Sequence, residues 1–175
     1  VLGSEHPDVA GSHNDIGNVY SNQGKYDEAL LQHQRSLEIN LQVLGSEHPE
    51  VARSYTNIGI VYGQAGKNEE ALVQFLKSLE IQLQVLGSEH PDVAGSHNDI
   101  GNVYSNQGKY DEALLQHQRS LEINLQVLGS EHPEVARSYT NIGIVYGQAG
   151  KNEEALVQFL KSLEIQLQVL GSEHP

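Results

Sequence analysis

The sequence has no cysteine, which excludes disulfides and thiolate metal sites outright. It carries 10 Lys and Arg against 23 Asp and Glu, a formal charge of −13. Phosphate binding needs clustered cations, so nucleic acid is not an expected partner. No apolar run approaches the ~20 residues that span a bilayer, so no membrane partner is expected either. There is no Asn-x-Ser/Thr acceptor and no leading basic-then-apolar segment. The chain opens at Val1 without a Met, and is read as a piece excised from, or patterned on, a longer array. A cytoplasmic location is the expectation if it is natural. HExxH, GxGxxG and GxxxxGK(S/T) are all missing, and the serines stand in no fixed relation to a His–acid pair. No catalytic residue, no cofactor, no metal and no enzymatic activity are therefore expected.

What is present is repetition. Residues 1–84 recur unchanged as 85–168, and 169–175 begin the unit again. Each 84-residue unit is itself double, since 1–42 and 43–84 share 26 of 42 positions. The chain is thus one repeat array over 1–175, with repeats 1–42, 43–84, 85–126 and 127–168 and a partial fifth at 169–175. Identity over 84 residues points to a recent tandem duplication or to engineering.

Each repeat holds two helical patterns separated by glycine. Val9, His13, Ile16 and Tyr20 share one side of a helix A predicted over 7–22, with Pro7 at its first position and Gly24 closing it in a left-handed turn. Helix B begins near Asp27, carries Leu30, His33, Leu37, Leu41 and Leu44 on one stripe, and stops at Gly45. In even repeats Asn68 is the expected N-cap; odd repeats have Tyr26 there, which can pack over the turn. Asp8, Asp27, Glu28, Glu69 and Glu70 all fall in first turns, where the helix dipole favours carboxylates, so the acidic balance has a structural explanation. One such hairpin cannot bury both its apolar faces; stacking the next copy does so.

Ile16-Gly17, Tyr20, Gly24, Tyr26, Ala29, His33, Ser36 and Leu37 resemble the tetratricopeptide signature in order and spacing, and Tyr55, Ile58-Gly59, Tyr62, Gly66, Ala71, Phe75, Ser78 and Leu79 resemble it more closely. With the flanking LGSEHP(D/E)VA and LEI segments, the unit is similar to the 42-residue repeats of kinesin light chains and nephrocystin-like proteins. The resemblance implies an all-α fold, an α-solenoid of stacked antiparallel helix hairpins forming a right-handed superhelix. It also implies a small residue at Gly17, Gly59, Gly101 and Gly143 for close helix contact. Three departures stand out. His13 and His97 replace an aromatic of helix A, His33 and His117 replace one of helix B, and Leu41, Leu83, Leu125 and Leu167 stand where shorter family members end helix B with proline. Without that proline helix B can run another turn.

Nine histidines invite a metal reading. Five (His6, His48, His90, His132, His174) precede Pro, which biases them to extended backbone, and four replace core aromatics. Structural roles are expected for all of them.

The resemblance places a concave, peptide-holding groove along helix A. There, Asn14, Asn18 and Asn22, spaced by four, give a polar stripe that recurs as Asn98, Asn102 and Asn106. Even repeats offer Arg53, Asn57 and Gln64, then Arg137, Asn141 and Gln148. An amide both donates and accepts, which suits a peptide backbone. The family's lysine clamp for terminal carboxylates does not carry over, because its position holds Asn14, Thr56, Asn98 and Thr140. Arg53 and Arg137 are instead expected to meet acidic groups of a partner. The expected function is a non-catalytic protein- or peptide-binding scaffold of unidentified partner. The alternative is self-association of uncapped ends, head to tail, into a superhelical fibre.

Overall fold

The computed structural model describes residues 6–173. The chain divides into two compact units, Val1–Gly87 and Ser88–Pro175. The first holds α1 (Pro7–Asn22), α2 (Tyr26–Leu44), α3 (Pro49–Gln64) and α4 (Asn68–Leu86). The second holds α5 (Pro91–Asn106), α6 (Tyr110–Leu128), α7 (Pro133–Gln148) and α8 (Asn152–Glu173). Among the described residues there is no strand, and the fold is all-α.

Within the first unit α1 packs on α2, α2 on α3, and α3 on α4; the second unit repeats the scheme with α5 to α8. Between the hairpins of the first unit, Ala29 and Leu30 of α2 meet Ile58 and Val61 of α3, with Tyr20, Tyr26, Leu37 and Tyr62 around them. Tyr26, at the start of α2, packs against this cluster between the hairpins. A second cluster, Val51, Ala52 and Ile81 with Leu37, Leu41 and Tyr55, ties the start of α3 to the end of α4. Each fully buried aliphatic here is worth about 1.5–3 kcal/mol against exposure. Because every such contact lies within or between adjacent hairpins, stability is built locally. The second unit has the matching clusters on Ala113 and Val135.

The helix starts follow from chemistry the sequence shows only in part. Pro7, Pro49, Pro91 and Pro133 open the A helices, as expected. The histidine before each is extended, and its Nδ1 accepts the backbone N–H two residues on, at 3.1 to 3.2 Å. Imidazole therefore acts as the N-cap, a role that sequence preferences give to Ser, Thr, Asp or Asn. His174 lies outside the described residues.

One expectation fails at the B helices. Asn68 is the first residue of α4, not its cap; Lys67 occupies that place without a side-chain bond, and Asn68 Oδ1 is buried without a partner. The turn explains the shift. Gly66 at φ +73° bends the chain back so sharply that Lys67 N–H reaches Tyr62 C=O at 2.9 Å, closing α3, and α4 starts immediately after. Left-handed glycines recur at Gly24, Gly45, Gly66, Gly87, Gly108, Gly129 and Gly150, one after each of the first seven helices. The extra turn expected without proline is present, since α2 continues past Leu41 to Leu44.

The helix A glycines are where the two helices of a hairpin touch. A Cβ on Gly17 would lie 2.8 Å from the His33 ring, and one on Gly59 would lie 2.7 Å from the Phe75 ring; Gly101 and Gly143 stand the same way to His117 and Phe159. The ring occupies the space of the missing methyl, so glycine's helix cost of roughly 0.5–1 kcal/mol is offset by packing.

Candidate functional site

The A helices each turn one face away from their own helix B. On α1, Gly17 points inward, which turns Gly11, Asp15, Asn18 and Asn22 outward, all of them exposed. On α3, Arg53, Ile60 and Gln64 are exposed in the same register, and Asn57 is half-buried between the two helices.

The amides of adjacent repeats are joined. Asn57 Nδ2 donates to Asn14 Oδ1 at 2.6 Å, and Ser21 Oγ donates to Gln64 Oε1. The second unit has the same pairs, Asn141 to Asn98 at 2.6 Å and Ser105 to Gln148. Both amide pairs leave one donor and one acceptor unused by that bond, the Nδ2 of Asn14 or Asn98 and the Oδ1 of Asn57 or Asn141. In the first unit they flank a cleft of about 200 Å³ whose wall includes Ser36, Asn40 and Arg53. Below it, buried Asn40 donates to Ser54 Oγ at 3.1 Å, and Ser54 donates to Glu50 C=O at 2.9 Å. The floor is therefore polar, satisfied and fixed.

Of the twelve candidate residues, the structure brings Asn14 together with Arg53 and Asn57 in one cleft, and Asn98 together with Asn141. Gln64 and Gln148 are engaged by serines. Asn18, Asn22, Asn102 and Asn106 present exposed amides on the same helices. The arginines have acidic neighbours on their own helices. Arg53 pairs with Glu50 and Arg137 with Glu134, one turn back on their own helices. Such exposed pairs are worth about 0–1 kcal/mol, so a partner carboxylate can still compete for the guanidinium.

Sequence reasoning missed two sets of residues. Ser21 and Ser105 join the repeats although nothing in a single-helix pattern predicts a bond across 43 residues. Asp15 and Asp99 share the outward face, three residues before Asn18 and Asn102, and the same helical spacing identifies them. Burial pushes the Asp99 carboxyl up to about 6, against the pull of the Arg137 guanidinium. Among the described residues no three His, Asp or Glu side chains converge as a metal set, and no helix is long and apolar enough to cross a membrane.

These helix pairs, with a glycine under each helix B ring, match a known family. The tetratricopeptide repeat model matches residues 8–84, 64–126 and 92–168, together nearly the whole chain. The chain belongs to the tetratricopeptide repeat family. Its fold is accordingly an α-helical repeat solenoid, in which hairpins follow one another along the chain. Among solved structures, the array is similar to BtubC (BKLC) from P. vanneervenii, with 25% identity over 97% of this chain and 68% of that one and a TM-score of 0.85. It is also similar to the nearly identical TPR-like repeats of a kinesin-light-chain-type protein from Podosopora anserina, with 27% identity, 97% and 80% coverage and a TM-score of 0.81. A single-substitution variant of that protein gives 27% identity over the same shares and a TM-score of 0.84. No curated protein sequence matches the array. Tetratricopeptide repeats generally mediate protein–protein interaction, and the fold is typically a non-catalytic scaffold.

Proposed function

We propose that this array is a scaffold that holds extended peptide segments of a partner protein along the outward faces of its A helices. The observation that carries this reading is the paired amide, Asn14 with Asn57 and Asn98 with Asn141. Each pair is pre-ordered and offers one donor and one acceptor, the complement of a peptide unit, so little side-chain freedom is lost on binding. Exposed Ile60 and Ile144 lie one turn beyond Asn57 and Asn141 and give a ligand side chain an apolar contact.

Selecting a displayed library of random 12-residue peptides against the chain, then measuring the selected peptides by fluorescence anisotropy, tests the reading. The double variant Asn18→Leu, Asn102→Leu is expected to weaken them at least tenfold with no loss of helix content, because even repeats already carry isoleucine at that register. Unchanged binding would place the peptides elsewhere and sink the groove.

A second reading, head-to-tail self-association, has its own observation. Ile16 on α1 is 45% exposed while its counterpart Ile100, in identical sequence, is 1% exposed; Leu163 on α8 is 48% exposed against 9% for Leu79. Exposed apolar side chains on α1 and α8 are thus available to a second copy of the chain. Molar mass by light scattering should then climb with concentration above 19.2 kDa. Leu163→Lys should hold it there, whereas a fixed 19.2 kDa in the unaltered chain would remove self-association.

A further inference from the structure

The same slot between helices A and B is filled in two ways along the chain. In α3–α4 and α7–α8 it holds Phe75 and Phe159, each against a glycine of helix A. In α1–α2 and α5–α6 it holds His33 and His117, against Gly17 and Gly101 at the same separation. Both imidazoles are 1% exposed, and the Nδ1 of each is buried without a hydrogen-bond partner. A neutral imidazole tolerates this place as an imperfect phenylalanine. An imidazolium does not, because it adds a charge and an N–H where no acceptor meets Nδ1.

We propose that the two histidine-filled hairpins are acid-released elements: a proton taken up by His33 or His117 opens its hairpin and dismantles the amide pairs, while the phenylalanine-filled hairpins hold. The link to ligand release rests on the groove reading, since Asn14 and Asn98 sit on the A helices that would be freed; the opening itself does not.

The surroundings support it. On α1 the titratable side chains within four residues of Gly17 are His13, Asp15 and Tyr20, and on α3 the hairpin core meets Tyr55 and Tyr62; α5 and α7 contribute His97, Asp99, Tyr104, Tyr139 and Tyr146. The two carboxylates, Asp15 and Asp99, stand two residues before the glycines and so on the helix face turned away from the rings. His13 and His97 bond Gln32 and Gln116 through Nδ1 at 2.7 Å, the ring N–H donating to the amide oxygen. Burial is the whole cause of the lowered pKa of both buried histidines, and it takes His117 from 6.5 to about 4. A folded-state value below the unfolded one means that this stability is complete above pH 6.5 and is lost as the pH falls toward 4. Each pH unit inside that window multiplies opening by about ten. Asp99 acts the other way on α5: its raised value of about 6 makes proton uptake favour the folded form, which softens the response of α5–α6. The N-cap histidines His6, His48, His90 and His132 serve both kinds of hairpin and cannot by themselves produce a difference between them.

Amide hydrogen exchange of the whole chain at pH 7 and pH 5, corrected for intrinsic rates and read by mass spectrometry, tests the proposal. Peptides from α1–α2 and α5–α6 are identical and report the histidine hairpins as a pair. Their protection is expected to drop at least tenfold relative to peptides of α3–α4 and α7–α8. The variant His33→Phe, His117→Phe should abolish that difference, and Phe75→His, at a place as closed as that of His33, should bring α3–α4 into line with the first class of hairpin. Equal loss of protection in both classes at pH 5, or a difference that survives His33→Phe, His117→Phe, overturns the switch. Neither outcome touches the groove, which stands or falls with the selected peptides.

Discussion

Phe75→Ala is expected to cost about 3–5 kcal/mol in urea unfolding, the usual range for a fully buried aromatic, and Phe159→Ala no more than about 2. The two rings occupy equivalent positions in identical 42-residue sequences, and each meets its helix A glycine at the same distance. They differ in burial: Phe75 is 4% exposed and Phe159 is 39% exposed. Truncating the first removes a large apolar area and leaves a cavity that the surrounding helices cannot fill. Truncating the second leaves a notch that water already reaches, so the cavity penalty is small. Equal losses would mean that the contact within the hairpin alone sets the value of the ring.

Gly59→Ala is expected to destabilise the array by about 1–2 kcal/mol, although alanine is the better helix former by about 1 kcal/mol. The new methyl would stand 2.7 Å from Phe75 Cε1, a separation real carbon pairs do not hold. The ring is buried, so relief comes only by prising α3 from α4, and overpacking of this kind typically costs about 1–3 kcal/mol. Combining the change with Phe75→Leu separates the two effects. With the ring gone, Gly59→Ala should turn neutral or favourable, a coupling visible as non-additivity in a double-mutant cycle. A stabilising Gly59→Ala in the unaltered background would show that the glycine is not there for packing.

Much of this molecule is legible in its sequence because each structural decision is made locally. Pro7 and Gly24 bracket α1 whatever the rest of the chain does, and the tight place of Gly17 is implied by a family that needs a small residue there. What could not be read are the bonds that depend on where two repeats meet. Asn14 looks like one member of an open stripe until α3 brings Asn57 to it. Arg53 looks free to meet a partner until its side chain folds back on Glu50. Asn68 has the chemistry of an N-cap but stands one residue late, because the turn made by Gly66 decides where the helix begins. These features share a cause: side-chain partners are chosen by three-dimensional neighbours, while helix limits are chosen by backbone geometry.

The left-handed glycines fall at a constant interval, from Gly24 and Gly45 through to Gly150. That cadence makes the array a modular text. Copying or deleting a whole repeat keeps every left-handed position on a glycine and every ring opposite its gap, so the chain can be lengthened or shortened without redesigning a single turn. An in-frame slip of any other length would break the spacing of proline, glycine and ring in the repeat that carries it, while leaving the later repeats as they were. Growth is thereby quantised, and a gene of this kind can change its number of repeats freely while the form of each repeat stays fixed.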